Sequence, residues 1–188
     1  MRLENSFEVP APPETAWELL MDVPRVVPCM PGAELTDTVD ENSWKANLDV
    51  KLGPVALSFA TDVTRDEADE AARRVKLGAR AREKRGRGGA RATVESTLAP
   101  HDGGTRIDIV TDLALSGAVA QYGRGMVEDV SSQLVGQFAD CLKAQLGPEP
   151  EAEAAVAEAG KPVSGLSLGL RALWNAIVRF FRRLFRRG

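Results

Sequence analysis

Apolar and polar side chains alternate along most of residues 44–115 of this chain. A period of two is typical of strands that bury one face, and strands joined by short turns pair in an antiparallel sheet. We predict one strand near the N-terminus and six after the turn at Pro31-Gly32. The first strand covers residues 3–9. The pattern delimits five of the six later strands, at 44–52, 55–63, 74–82, 90–98 and 107–115.

Helical patterns lie before and after these strands. Pro12-Pro13-Glu14 opens a helix that runs through Trp17 to Leu20, since proline is tolerated in a first turn, and residues 22–28 form a short, proline-broken helical segment. A long helix is predicted over 118–146, because Tyr122, Met126, Val130, Leu134, Phe138 and Leu142 recur every fourth residue. One long amphipathic helix must cover the apolar face of the sheet, which predicts an α+β domain over residues 1–146.

The inward-facing strand residues include few large side chains. Many are alanines, and Gly117, Gly123 and Gly125 lie where the long helix is predicted to begin. A helix packed through small residues leaves space beneath it, and interior space of this kind is where ligands bind. The composition is compatible with an apolar cavity and equally with a core that other side chains fill.

Few residues suit catalysis or metal binding. Cys29 and Cys141 stand far apart without a CxxC motif, so we expect reduced cytosolic thiols rather than a disulfide or a zinc site. MRLENSFEVP lacks the apolar run of a signal peptide. The only histidine, His101, lies in a turn, and no nucleophile motif or EF-hand spacing is present. We therefore expect no metal site and no catalytic residues.

The C-terminal segment reverses the charge of the chain. Residues 1–160 carry 17 basic and 27 acidic side chains, a net of −10, whereas residues 161–188 carry seven basic and no acidic side chains. Residues 147–163 are rich in Pro, Glu and Ala, which predicts a flexible linker. The asymmetry indicates a membrane or nucleic-acid contact by the tail.

A helical projection of residues 164–188 separates an apolar face from a cationic face. Six arginines make a bilayer-spanning helix unfavourable, whereas an amphipathic helix lying in an anionic membrane surface satisfies both faces. Packing on the acidic body or on a partner helix is an alternative; nucleic acid is disfavoured because the aromatic residues lie away from the arginines. The predicted membrane contacts are Leu170, Trp174, Ile177, Phe181, Leu184 and Phe185 on the apolar face, and Arg171, Arg179, Arg182, Arg183, Arg186 and Arg187 on or beside the cationic face.

A second basic cluster lies at residues 73–91, with nine Lys or Arg and one acid, Glu83. Its glycines at 86, 88 and 89 indicate a hairpin tip. The cluster is either an ordinary solvated sheet face or a docking patch for an acidic partner or anionic lipid. It lacks the outward aromatic residues expected of a protein that binds single-stranded nucleic acid.

Three segments together resemble the CoxG family of carbon monoxide dehydrogenase proteins, which belongs to the START/Bet v 1-like (helix-grip) superfamily. They are FEVPAPPETAWELLMDVPRVVPCMPGAE, KLGPVALSF and LSGAVAQYGRGMVEDVSSQLVGQFADCL, in the order and spacing of the family, and the resemblance covers about residues 1–146. It implies a seven-stranded antiparallel sheet that wraps around a long C-terminal helix and encloses a hydrophobic cavity. From that geometry we expect the ligand to contact Trp17, Cys29, Met30, Trp44, Leu48, Phe59, Tyr122 and Met126, with the mouth near Gly123.

The resemblance also implies a function beside a molybdenum-containing carbon monoxide dehydrogenase or a related hydroxylase. We expect a non-enzymatic carrier that binds a quinone such as menaquinone and is held peripherally at the cytoplasmic face of the membrane by its tail. One alternative is an adaptor without a ligand. The other is a cyclase or hydrolase, which would need polar groups inside the cavity.

Overall fold

A single antiparallel sheet of seven strands forms most of the domain. The computed structural model describes residues 1–52 and 55–147, excluding the side chain of Leu52, so the predictions for the linker beyond Gly147 and for the tail lie outside the described residues. The strands are β1 Arg2–Val9, β2 Ala33–Asp40, β3 Ser43–Leu52, β4 Val55–Asp69, β5 Arg74–Glu83, β6 Gly88–His101 and β7 Gly104–Gly117. This confirms the predicted α+β class and strand number.

The strand order is β1-β7-β6-β5-β4-β3-β2. The first strand therefore pairs with the last, and every other pair of neighbouring strands forms a hairpin. The β3–β4 and β5–β6 turns lie at the same end of the sheet, because Phe59 near the start of β4 pairs with Glu83 at the end of β5. Strand β2, which no alternation delimited in the sequence, is an edge strand whose side chains are mostly exposed.

Three helices accompany the sheet within the described residues: α1 Pro13–Met21, α2 Val23–Val26 and α3 Arg124–Leu146, with a 3-10 turn at Val27–Cys29 after α2. Pro13 occupies the first turn of α1, where its missing N–H costs nothing. Helix α3 packs against β1 and against the 3-10 turn. Phe7 of β1 meets Phe138 of α3 edge-on, with ring centroids 6.0 Å apart.

The long helix begins later than the sequence pattern predicted. A 3-10 turn covers Ala118–Gln121, and α3 starts only at Arg124, so the prediction of one helix from residue 118 is wrong. Gly117 ends β7 with a φ of 68°, and Gly123 is extended, with ψ 152°. Glycine adopts the positive φ of Gly117 without steric cost, and between the two glycines Val119 is buried as an anchor, only 2% exposed.

The core consists of two clusters on the concave face of the sheet. The larger contains Val9, Trp17, Ile107, Phe138 and Leu142, and packs α1 and the C-terminal half of α3 onto the sheet. The smaller contains Leu57, Phe59 and Val119 and lies at the end where the β3–β4 and β5–β6 turns are found. The larger cluster thus lies at one end of this face and the smaller cluster at the other.

Arg65 of β4 fixes the other end of that strand. Its guanidinium donates to the carbonyl oxygens of Met21 and Glu41 and to Asn42 Oδ1, at 3.1, 2.7 and 2.9 Å. It also lies over the ring of Trp44, 5.4 Å from the ring centroid. One side chain therefore ties the end of α1 to the β2–β3 hairpin.

A disulfide joins Cys29 to Cys141, with Cα atoms 5.3 Å apart. The prediction of two separate reduced thiols is therefore wrong. The two cysteines are 112 residues apart in sequence, but the packing of α3 against the 3-10 turn brings them together. Gln145, one turn further along α3, donates from Nε2 to Cys29 Sγ at 3.0 Å.

Candidate functional site

A half-open cavity of about 600 Å³ lies between the sheet and α3. Its walls are the Pro31-Gly32 turn, the facing ends of β3 and β4, the β5–β6 tip and the middle of α3. The volume is within the roughly 300–1,000 Å³ typical of small-molecule sites. The cavity borders the smaller core cluster, to which Leu57 belongs.

Two chemically different sets of side chains line this cavity. The apolar set comes from the turn, the sheet and the helix, and the polar set lies on the sheet ends, the hairpin tip and the helix. The apolar residues are Pro31, Val50, Ala56, Leu57, Val130 and Leu134; the polar residues are Asp49, Lys51, Ser58, Arg85, Arg87, Gln133 and Gln137.

One face of α3 supplies the helical wall. Val130, Gln133, Leu134 and Gln137 are spaced by three and four residues, which places them side by side along one face of a helix. The aliphatic and amide side chains alternate along it, so the wall offers apolar contact together with hydrogen-bond donors and acceptors.

Close approach of the backbone at Gly32 shapes the opposite wall. The φ of Gly32 is 77°, and its carbonyl accepts a 2.9 Å hydrogen bond from the N–H of Asp49. A Cβ at this position would lie 2.2 Å from the Asp49 carbonyl oxygen. Only glycine allows the PCMPGAE turn to close onto β3 here.

The β5–β6 tip is organised around the carboxylate of Glu83, whose side chain is fully buried. One oxygen accepts from the backbone N–H groups of Arg85 and Arg87, at 2.8 and 3.1 Å, and the other from Arg87 Nη2 at 3.0 Å. The hydrogen bond from the Arg87 side chain is the main cause that lowers the pKa of Glu83 to about 2; the two backbone N–H groups act in the same direction and burial opposes them. The same pairing raises the pKa of Arg87.

Arg87 connects this tip to the sheet and to the cavity. Its Nη2 also donates to the carbonyl oxygen of Ala56 at 2.9 Å, which fixes the guanidinium against β4. Its Nη1 makes no hydrogen bond with any described residue, and its buried Nε has no partner in that part of the chain. The cavity therefore has a positioned guanidinium with unused donor capacity at one side.

The net charge of the cavity lining is slightly positive. Lys51, Arg85 and Arg87 contribute three positive charges, against Asp49 in the lining and Glu83 behind Arg87. A net of one positive charge, in a cleft with apolar walls, favours a ligand with electron-rich oxygen atoms over a cationic ligand.

None of the eight residues predicted to contact a ligand is among those that line this cavity. Leu48, Phe59 and Tyr122 belong to the smaller core cluster, beside Leu57 and Val130, which do line it. The structure thus places Leu48, Phe59 and Tyr122 in the layer of side chains next to the cavity lining. Their contact with a ligand stays a prediction.

The other five predicted residues lie elsewhere. Trp17 and Cys29 are buried in the larger cluster, and Met30 packs against it. Trp44 is buried under Arg65, and Met126 is 40% exposed on α3. Gly123, the expected mouth, precedes α3 and is not part of the cavity lining.

The arginines at the hairpin tip were missed as cavity residues, although the sequence contained the signal for them. The glycines at 86, 88 and 89 marked a hairpin tip, and Gly53-Pro54 marked the preceding one. Alternate turns of an antiparallel sheet lie at the same end, so Arg85 and Arg87 belong beside the end of β3 and the start of β4.

Carboxylates neutralise part of the basic cluster at residues 73–91. Arg73, Arg74, Arg82 and Arg87 each pair with a carboxylate, whereas Lys76, Arg80, Lys84, Arg85 and Arg91 have none within 4.0 Å in the described residues. Arg80 and Arg91 are direct cross-strand partners, a like-charge pair that disfavours the sheet slightly. The solvated face and the docking patch both stay predictions.

His101 lies on the surface near Glu8, with its Nε2 3.1 Å from that carboxylate. Within residues 1–52 and 55–147, no three His, Cys, Asp or Glu side chains lie together in a way that could hold a metal ion. In the same residues no helix is both long and apolar enough to cross a membrane.

A seven-stranded antiparallel sheet with a long C-terminal helix against its concave face, and a cavity between them, defines a helix-grip protein of the START/Bet v 1-like class. Residues 6–147 match the family model of CoxG, which is described as a subunit of carbon monoxide dehydrogenase. The chain belongs to this family. No curated protein sequence matches it.

Solved structures agree with the fold. A conserved protein from Geobacillus kaustophilus is 22% identical with a TM-score of 0.69, covering 78% of this chain and 95% of that one. The Zhui aromatase/cyclase from a Streptomyces species is 17% identical with a TM-score of 0.55, covering 86% and 99%. A START superfamily protein from Mycobacterium smegmatis is 15% identical with a TM-score of 0.50, covering 77% and 96%. At these identities the similarity establishes the fold alone.

Proposed function

We propose that this protein is a non-enzymatic accessory protein of a molybdenum-containing carbon monoxide dehydrogenase or a related hydroxylase. It carries a hydrophobic isoprenoid ligand, a quinone such as menaquinone, between the membrane and that enzyme. The single observation that carries the proposal is the cavity of about 600 Å³ between the sheet and α3 in a chain of the CoxG family. The family name supplies the enzyme, and the cavity supplies a place for the ligand.

The physical need for a carrier follows from the hydrophobic effect. Each buried CH₂ group contributes about 0.8 kcal/mol to transfer out of water, so one five-carbon isoprene unit contributes on the order of 4 kcal/mol. A quinone with several such units does not leave a bilayer unaided at a useful rate. A soluble oxidoreductase that passes electrons to it needs either a membrane dock or a protein that shields the chain.

The C-terminal segment 164–188 is the proposed membrane contact. Its six arginines and its apolar face suit an anionic surface, where each basic side chain contributes about 1 kcal/mol. Flotation with anionic and with neutral vesicles tests this contact. We expect the full chain to float with anionic vesicles and a chain lacking 164–188 to stay behind, whereas flotation that survives the deletion contradicts the anchor.

The proposed location at the cytoplasmic face conflicts with the disulfide between Cys29 and Cys141. Cytosolic thiols are normally kept reduced, and disulfides persist in oxidising compartments. Trapping of free thiols with an alkylating reagent in intact cells decides whether Cys29 and Cys141 are reduced or joined in the cell. A trapped disulfide would contradict the cytoplasmic location, and two alkylated thiols would support it.

Quinone transfer from vesicles tests the carrier function directly. Val130 lines the cavity, whereas Asp129 is exposed on another face of α3, so Val130→Trp fills the cavity and Asp129→Trp is the matched control. We expect the wild-type chain and the control to extract quinone from loaded vesicles, and the filled variant to extract little. Equal extraction by all three, or none by the wild type, would contradict the carrier function.

A further inference from the structure

We propose that the cavity recognises the oxygen atoms of its ligand from two sides, with Arg85 and Arg87 of the β5–β6 tip on one side and Gln133 and Gln137 of α3 on the other. The ligand class is an amphiphile whose polar head carries hydrogen-bond acceptors at two edges, as the two carbonyl oxygens of a quinone ring do. This inference rests on the proposed function and adds to it the residues that bind the head group.

The first support is that the Arg87 guanidinium is positioned before a ligand arrives, with the backbone of Arg85 fixed beside it. Glu83 holds the backbone of Arg85 and Arg87 and one arm of the Arg87 guanidinium, and the Ala56 carbonyl holds that arm against β4. A donor that is already fixed loses little entropy when it binds, which is the advantage of preorganisation.

The second support is the spare hydrogen-bonding capacity around the cavity. Arg87 Nη1, the Arg85 guanidinium and the amides of Gln133 and Gln137 make no hydrogen bond to any other described side chain or carbonyl. All four side chains line one cavity whose remaining walls are largely apolar. A few convergent polar groups in an apolar site fix the orientation of a ligand.

The third support is the sign of the local charge. The lining is net positive by one charge when Glu83 is included, and guanidinium and amide N–H groups are donors. A quinone oxygen, which gains electron density on reduction, matches this environment. A fatty-acid carboxylate shares the same acceptor chemistry but offers it at one end only, which separates the two ligand sources experimentally.

Displacement of bound Nile red from the full-length protein measures this recognition. The competitors are a naphthoquinone with a short isoprenoid chain, the same chain as a hydrocarbon without oxygen, and a fatty acid of similar length. We expect the quinone to bind roughly 10- to 100-fold more tightly than the hydrocarbon, the range for hydrogen bonds to charged groups. Tighter binding of the fatty acid than of the quinone would overturn the proposal that the cavity recognises the head group from two sides.

Substitutions then assign the effect to the two walls. Arg85→Met and Gln137→Leu should each weaken quinone binding by several-fold and leave hydrocarbon binding unchanged. Arg91→Met, on the outer face of the neighbouring strand, and Gln121→Leu, exposed outside the cavity lining, are the matched controls. None of these side chains takes part in the Glu83 network, so the variants should fold.

The outcomes separate this inference from the proposed function. If the wild type binds neither quinone nor hydrocarbon, the carrier function itself fails. If it binds both equally and the cavity variants behave like the controls, the carrier function stands and the two-sided recognition is overturned. Loss of quinone binding only in the Arg85 and Gln137 variants supports the inference.

Discussion

The disulfide between Cys29 and Cys141 gives the sharpest prediction about stability. It closes a loop of 112 residues, most of the described body, and ties the 3-10 turn after α2 to the last two turns of α3. For a loop of this length the restriction of the unfolded chain corresponds to about 4.8 kcal/mol at 25 °C. Reduction should therefore lower the free energy of unfolding by ~4–5 kcal/mol, a large share of the 5–15 kcal/mol typical of a domain.

Denaturant and thermal unfolding of the oxidised and reduced protein measure this difference. We expect the reduced protein to melt about 10–20 °C lower, since each kcal/mol shifts the midpoint of a domain of this size by roughly 2–4 °C. Cys141→Ala is the control, because its melting temperature should already be low and should not respond to reductant. A titration that finds two free thiols in the untreated native protein would refute the reasoning, as would coincident unfolding curves after verified reduction.

Three further predictions concern the contacts around the cavity and the core. Glu83 has a pKa lowered to about 2, so its contribution to stability is complete above the unfolded pKa of about 4.3 and is lost as the pH falls towards 2. Acid unfolding followed by circular dichroism should show that Glu83→Gln is less stable than the wild type at neutral pH. This difference in stability should narrow as the pH falls from about 4.3 to about 2. Arg65→Lys should lower the free energy of unfolding in urea by about 1–3 kcal/mol, because a lysine cannot reach the three acceptors of Arg65 at once. Arg80→Lys is the control: its side chain has no carboxylate partner among the described residues, so the substitution should cost almost nothing. Equal costs would contradict the role of Arg65 in joining α1 to the β2–β3 hairpin. Thr105→Val should cost about 1–3 kcal/mol in the same assay, since it removes the hydroxyl that donates a 2.7 Å hydrogen bond to the buried Ala11 carbonyl. An unchanged unfolding midpoint would contradict a stabilising role for this hydrogen bond.

The sheet could be predicted from the sequence because its signal is local. Alternation within a strand and glycine-rich turns between strands specify antiparallel neighbours one hairpin at a time. Strand β2 had no clear alternation because an edge strand buries little of either face. The late start of α3 was missed because Val119 keeps the apolar spacing of a helix while Gly117 and Gly123 break its backbone.

The candidate site depends on contacts that no local pattern contains. The Cys29–Cys141 pair forms only when α3 packs against the 3-10 turn, and sequence separation gives no sign of it. Several of the ligand contacts expected from the helix-grip geometry are packed in the core, such as Trp17 and Phe59, and their contact with a ligand stays a prediction. A cavity persists where large side chains do not meet, and its walls here include polar residues at the ends of strands, on the β5–β6 tip and on α3.

The ligand carried by the native protein is the most direct test of the central claim. Full-length protein purified without detergent exchange and analysed by mass spectrometry should release an isoprenoid quinone or a closely related apolar lipid. The Val130→Trp variant, with its cavity filled, should release little of it, and Asp129→Trp should match the wild type. Wild-type protein that releases no lipid and takes up no added quinone would contradict the claim that this cavity carries a hydrophobic ligand.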